Sequence, residues 1–402
     1  MDPSASHRRG TIAPPGARKA LAGFFVTGLL FAFLGAILPA WGHHFLSDYL
    51  MVGAYFVALI AGLGCSVRVG PVLMRRKGIG WTLSVACAAA ALSLFYLAFF
   101  SPPYQAWWRL PGILAIGCAS GVLHVAIFHA ISPIYRHDPA ATVNLGGMLF
   151  GLGCLAVALF ISQTFYLYTA ASIQIWLGVV VGFFSITYAR STFSPDESPT
   201  ELAKHELIAE VKTPAALLLS LILFFQFGNE WAIAGWLPLF LSQRLGVSPS
   251  TAILILALYW GALLVGRIIV QSILPLVRHS RILIASVCSA LFACMMLLVT
   301  DNPFGAVTAV LLLGCAYAPI YPLVVEKIGD RFPDYHPGFY NGIFSFAIAG
   351  GLLAPCTLGY FAWLLGLGAV MALPLTGSVI VFVLLGLLWM EARLSASSSR
   401  VG

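Results

Sequence analysis

The stretch Gly261-Ala262-Leu263-Leu264-Val265-Gly266-Arg267 has an antecedent 199 residues earlier, Gly62-Leu63-Gly64-Cys65-Ser66-Val67-Arg68, with the first glycine and the arginine in register. The echo widens on either side. Leu38-Pro39 returns as Leu237-Pro238 at the same offset of 199, while Gly117-Cys118-Ala119 returns as Gly314-Cys315-Ala316, and Asn144 and Gly153 return as Asn341 and Gly350, at an offset of 197. Glycine and leucine matches carry little weight in so apolar a chain, but arginine and asparagine are rare here. The chain therefore reads as two halves of one ancestral design.

Composition says where such halves reside. Of 402 residues, 60% are hydrophobic and 9% charged, with a mean hydropathy of +0.95; a soluble domain carries roughly 25% charged residues. Twelve apolar runs fall near 20–41, 50–72, 80–100, 110–133, 142–163, 167–189, 214–242, 249–274, 281–300, 304–325, 338–363 and 367–391. Each is close to the ~20 residues a helix needs to cross a bilayer. The expectation is an all-α polytopic membrane protein with twelve transmembrane helices in two pseudo-symmetric six-helix bundles, residues 20–189 and 214–392, flanked by polar tails at 1–19 and 393–402. Between them, 190–213 reads as a polar linker carrying Asp196, Glu197, Glu201, Glu206 and Glu210, with a short surface helix over Glu201–Glu210.

Charge distribution orients the chain. Of 21 Lys and Arg, 17 fall on the side of the tails and linker, and only Arg109 and Arg244 on the other; Arg68 and Arg267 lie in or at the end of apolar runs. By the positive-inside rule both termini are expected to be cytoplasmic, and the expected location is the plasma membrane. The basic clusters are then topology signals, so no nucleic-acid partner is expected. All eight cysteines sit within apolar runs without a CxxC, which argues against a disulfide framework or a zinc site. The run after Lys19 lacks a cleavage site and reads as an uncleaved first helix. Walker A, GxSxG and HExxH patterns are missing, so neither an ATP-driven pump nor an enzyme is expected, and no metal or cofactor is implied.

Chemistry is sought where polar groups interrupt the runs. Glu230 is the only carboxylate placed deep in one, within Gln226-Phe227-Gly228-Asn229-Glu230-Trp231, and Gln226 shares its face at four residues' distance. Burial disfavours the charged form of a carboxylate, which suits Glu230 to proton exchange; hydrogen bonding to a hydroxylated ligand and a structural pair with a buried Arg or His are the other readings. Arg267 lies in the half of its run nearer the tails, with Glu326 as its natural ion-pair partner and Arg68 as its repeat counterpart, a gating set. His124 and His129 on the fourth run titrate near neutrality, and Tyr317 and Tyr321 lie one turn apart on the tenth. Asn144 and Asn341 begin the fifth and eleventh runs, where capping and ligand contact are equally open. Trp231, Tyr317 and Tyr321 are the mid-helix aromatics suited to stacking on a sugar ring.

These residues support a resemblance. Gly314-Cys315-Ala316-Tyr317-Ala318-Pro319-Ile320-Tyr321-Pro322 resembles helix 10 of the fucose:proton symporter family of the major facilitator superfamily. Asn144 to Gly153 looks like that family's helix 5, Asn229-Glu230 to Trp236 its helix 7, and Gly266-Arg267 its helix 8. The resemblance implies the major facilitator fold, alternating access and proton-coupled movement of a sugar. One departure stands out. Proton symporters of that family carry acidic residues in helices 1 and 4, whereas here the first run has none and the fourth offers His124 and His129. Coupling has therefore shifted to Glu230 or a histidine, or the protein is a uniporter, or its substrate is not a sugar.

The expected function is secondary transport of a small polar solute, a monosaccharide or related compound, by a monomer in the lipid bilayer with H+ as coupling ion. Candidate substrate ligands are His124, Asn144, Gln226, Asn229, Glu230, Trp231, Tyr317, Tyr321 and Asn341; Glu230, His124 and His129 are candidates for proton coupling. The rival is an exporter of amphipathic compounds or lipids on the same scaffold, which would present a wide apolar cavity.

Overall fold

A computed structural model describes residues 15–45, 48–137, 139–193, 213–273, 276–331 and 337–398. Among them run α1 (Pro15–Ile37), α2 (Tyr49–Lys77), α3 (Ile79–Phe99), α4 (Leu110–His137), α5 (Pro139–Thr164) and α6 (Ala170–Ala189). The second half follows with α7 (Pro214–Leu245), α8 (Pro249–Ile273), α9 (His279–Val299), α10 in two segments (Pro303–Tyr317 and Ile320–Arg331), α11 (Pro337–Leu365) and α12 (Ala372–Ser398). Twelve spans among the described residues are long and apolar enough to cross a membrane. Since twelve is even, α1 begins and α12 ends on the same face, here called the terminal face. The short helix expected over Glu201–Glu210 lies outside the described residues.

Helix starts are set by local chemistry. Asp48, Thr169, Thr213 and Asn302 accept backbone N–H bonds at the heads of α2, α6, α7 and α10. Arg75, Arg76 and Lys77 end α2, where cations complement the helix dipole. Proline is favoured at a first helical position, and Pro139 and Pro337 begin α5 and α11. Asn144 and Asn341 therefore lie inside their helices and do not cap them, which corrects the expectation that these two residues start them. Pro319, without an N–H, separates the two segments of α10.

The duplication is visible in the packing. In the first half α1 packs on α5, α2 on α4 and α3 on α6; in the second α7 packs on α11, α8 on α10 and α9 on α12. Repeated glycines make these contacts close. Gly153 lies against the backbone of Phe25 on α1, and its counterpart Gly350 against the backbone of Phe224 on α7. Gly117 faces the Leu59 carbonyl on α2, and its counterpart Gly314 faces that of Tyr259 on α8. A side chain at any of these positions would overlap backbone, and small residues are how membrane helices approach so closely. The outer face of α6, with Ile175, Trp176, Val179, Phe183 and Ile186 exposed, presents the apolar surface that a bilayer covers.

The halves join along two equivalent seams, α2 on α11 and α5 on α8, with α1 also touching α7. Many of the cross-half contacts lie toward the face opposite the termini. There Gly53 meets Gly359, Gly35 meets the backbone of Ala234, and Ser162 and Ser250 exchange hydroxyl-to-carbonyl bonds of 2.9 and 3.0 Å. Gln243 donates to the carbonyls of His43 and His44 at 3.2 and 3.3 Å and accepts from the Tyr49 hydroxyl at 2.7 Å. The conformer is closed at this opposite face.

Within α2, Gly62 abuts the Leu114 carbonyl while Gly64 has open space. Gly62→Ala is expected to destabilise the protein by ~1–3 kcal/mol through overpacking. Gly64→Ala should leave stability equal or slightly higher, by up to ~1 kcal/mol from helix propensity. Thermal denaturation of the detergent-solubilised variants measures both.

Candidate functional site

The interior between the bundles is where α1, α5, α7 and α8 meet. Trp231 of α7 is the hub, with ring centroids 5.9 Å from Phe31 of α1, 6.0 Å from Phe150 of α5 and 5.8 Å from Trp260 of α8. Beside it Glu230 is buried, the one carboxylate in that state among the described residues. Gln226 donates to Glu230 Oε1 at 2.9 Å, as their one-turn spacing predicts. Arg267 of α8 reaches across to α5, donating from Nη1 to the Gly147 carbonyl at 3.2 Å, and its charge acts on Glu230 without a direct ion pair.

Several polar atoms here have no partner. Tyr259 Oη, Trp260 Nε1 and Arg267 Nε are buried with no hydrogen bond. Buried polar groups are ordinarily satisfied, so three unmet atoms beside a buried carboxylate make this interface the candidate site. None of the three is obvious in the sequence as a ligand. The available signal was spacing: Trp260 and Arg267 are seven residues apart and share one stripe of α8.

The other candidates divide. Asn229 and Tyr317 turn away from Glu230 into the second bundle, where Asn229 Nδ2 donates to Ser378 Oγ at 3.3 Å and the Tyr317 hydroxyl lies 3.2 Å from the same atom. Gly377 leaves the room that the Asn229 side chain occupies. The four groups Asn229, Tyr317, Ser378 and Cys294 close a polar network of their own. The structure thus separates these two from the Glu230 cluster expected to include them. His124 packs edge-on to Phe24 and Phe128 at 5.9 and 4.9 Å, with Nδ1 buried and unbonded, in a nest inside the first bundle. His129 is half-buried on α4. Asn144 lies 3.7 Å from the Met148 sulfur. Tyr321 packs edge-on to Phe227 at 5.4 Å, and the Asn341 side chain lies outside the described residues.

The gating set changes as well. Glu326 pairs with His279 Nδ1 at 3.1 Å at the terminal face, joining α10 to α9, so it is not the partner of Arg267. Arg267 sits deeper than the end of α10, where a backbone carbonyl is within reach. Arg68, its counterpart by repeat, is exposed on α2.

At the opposite face the turn after α1 holds a second buried group. His43 is 2% exposed, both ring nitrogens lack partners, and its ring stacks edge-on to Tyr55 at 5.5 Å. Arg109, placed from the sequence on the side away from the tails, is buried here. It donates to the Phe100 and Tyr104 carbonyls and to the Tyr55 hydroxyl, and lies 5.0 Å above the Trp41 ring. Close by, a surface hollow of about 860 Å³ is lined by His44, Phe165, Tyr166, Gln243 and the α7–α8 turn. It is remote from Glu230 and its lining contains no Asp, Glu, Lys or Arg. The centre of the site is placed at Glu230, where a buried carboxylate and three unsatisfied polar atoms come together.

Two six-helix bundles meeting at a charged interface make a multi-pass membrane protein whose polar centre lies between its halves. A sequence profile of the Major Facilitator Superfamily matches residues 140–355, and the chain belongs to that superfamily. It is 22% identical over 349 residues to an uncharacterized MFS-type transporter of Yersinia pestis, covering 85% of this chain and 87% of that one. The fold is similar to that of the nucleoside transporter NupG, with a TM-score of 0.70 at 14% identity over 92% of this chain and 99% of that one. It is also similar to a D-xylose-proton symporter, with a TM-score of 0.71 at 14% identity over 92% and 96%. The Escherichia coli fucose:proton symporter FucP superposes with a TM-score of 0.59 at 13% identity over 92% and 98%. The resemblance expected from the helix motifs thus holds at the level of fold.

Burial first, and the Arg109 charge second, hold His43 down to about 4 from the usual value near 6.5, with the His44 charge lowering it further and Asp48 acting the other way. A His43 released into water by opening of this face takes up a proton near pH 6.5, while the closed form resists it until about pH 4. The closed form is therefore fully favoured above about pH 6.5 and loses ground as pH falls below it. Spin labels at Phe45→Cys and Ser248→Cys, in a background lacking the native cysteines, should show a growing long-distance population between about pH 7 and pH 5. His43→Gln should flatten that response.

Proposed function

We propose that this transporter carries a small polar solute, a monosaccharide or a related compound, by alternating access, with a proton moving on Glu230. The observation that carries the reading is the coincidence, at the meeting of α1, α5, α7 and α8, of the one buried carboxylate among the described residues with the unbonded polar atoms of Tyr259, Trp260 and Arg267. A site for an amphipathic solute would be lined by apolar groups, not by buried donors without partners. Trp231, half-buried and braced by three other rings, offers a face for a sugar ring. Structural neighbours named for nucleoside, xylose and fucose transport support a polar organic substrate.

On this reading the described conformer is closed to the outside at the Gln243 clasp, the termini are cytoplasmic, and Arg267 bonded to Gly147 is the contact that must change as the bundles rock. Asn229 and Tyr317 support the second bundle and do not touch substrate. Gln226 positions Glu230.

Glu230 is expected to lose its coupling role when it can no longer ionise. In proteoliposomes, Glu230→Gln should abolish accumulation driven by an inward proton gradient, a loss of about tenfold or more, while exchange of labelled for unlabelled substrate continues. Gradient-driven accumulation that survives the substitution would remove the proton from Glu230 and leave a uniporter or a different coupling group.

A further inference from the structure

The charges at the bundle interface constrain what the solute can be, given the placement of the site under Proposed function. Arg267 uses one of its donors on the Gly147 carbonyl, and its Nε is buried and unbonded. Trp260 Nε1, two turns earlier on the same stripe of α8, is likewise buried and unbonded. An arginine and an indole nitrogen only donate hydrogen bonds. The missing partner must therefore bring acceptors, and beside a guanidinium the best acceptor is a carboxylate, which engages it with paired, charge-assisted bonds.

Charge balance leads to the same chemistry. The groups that face Arg267 electrostatically are Glu230, Tyr259 and Cys154, and Cys154 donates to the Gly28 carbonyl. With the site empty, ionised Glu230 offsets the arginine. When Glu230 takes a proton from the medium, a neutral sugar leaves half-buried Arg267 as an uncompensated charge at the bundle interface, which is unfavourable. A solute carrying one negative charge restores neutrality. A phosphate ester, at about −1.5 to −2, overshoots it.

We infer that the preferred substrate is a hydroxylated monocarboxylate, a sugar acid whose carboxylate is held by Arg267 and whose hydroxyl oxygens accept from Trp260, two turns away, while the proton rides on Glu230. The loaded and empty carriers then have the same net charge at the interface, and each transport cycle moves no net charge.

The test uses the purified full chain and matched pairs: D-glucuronate with D-glucose, D-galacturonate with D-galactose, and D-gluconate with sorbitol, together with glucose 6-phosphate and a set of amphipathic drugs. Binding is read by thermal stabilisation, which follows mass action, and by titration calorimetry. At least one acid should bind about tenfold or more tightly than its uncharged partner. Arg267→Gln should erase that preference and Arg267→Lys should retain part of it. Proton-driven uptake of that acid into liposomes should be unchanged when a potassium diffusion potential is imposed. Neutral sugars binding as well as their acids, or an acid preference that survives in folded Arg267→Gln, would overturn the inference while leaving sugar transport through Glu230 standing. Phosphate ester preferred over every acid would overturn the single-charge argument. Binding of amphipathic drugs alone would overturn both this inference and the proposed function.

Discussion

A donor, an acceptor or a charge placed between helices in hydrocarbon has no water to turn to, and must be answered from inside the protein. That constraint orders this molecule at every level. Backbone groups are answered within twelve helices. Most interior side chains are answered too: Asn229, Tyr317, Cys294 and Ser378 bond one another, and Arg109 is held by two carbonyls, a tyrosine hydroxyl and the face of Trp41. Exceptions among the described residues include His43 at the opposite face and His124 inside the first bundle, and three of them, on Tyr259, Trp260 and Arg267, lie near the one buried carboxylate at the junction of the two bundles. An incomplete polar centre is costly in a rigid protein and useful in one whose cargo completes it.

The architecture was legible in the sequence because its causes are periodic and compositional. Run lengths give the helices, and repeated Gly117/Gly314 and Gly153/Gly350 mark where backbones touch. Helix starts were less legible: Asn144 and Asn341 looked like first residues, while the prolines a turn or more earlier set the boundaries. The Gln226–Glu230 bond followed from spacing alone. What stayed hidden depends on acceptors that carry no residue signature. Arg267 is held by the carbonyl of Gly147, and Arg109 by those of Phe100 and Tyr104; any residue supplies a carbonyl, so no pattern announces it. Asn229 and Glu230 are neighbours in sequence but point about 100° apart around α7. Which of them faces the partner bundle is decided by α12, and by the gap that Gly377 leaves.

Symmetry and its breaking divide the labour. Equivalent helix pairs and equivalent seams, α2 with α11 and α5 with α8, make a frame in which one half can rock against the other. The charged groups do not obey the repeat. Arg68 is exposed and Arg267 is turned inward, and Glu230 corresponds to Phe31, whose ring packs on Trp231 beside that same carboxylate. The frame is shared between the halves, and the polar centre belongs to the second.

The clasp at the opposite face has a different character from the polar centre. Gln243 grips the carbonyl oxygens of residues 43 and 44 and not their side chains. Substitutions in that turn leave its grip intact so long as the turn keeps its shape, whereas a change at Gln243 removes three hydrogen bonds at once. The lock therefore reads the shape of the backbone at residues 43 and 44, and its strength rests on the single side chain of Gln243.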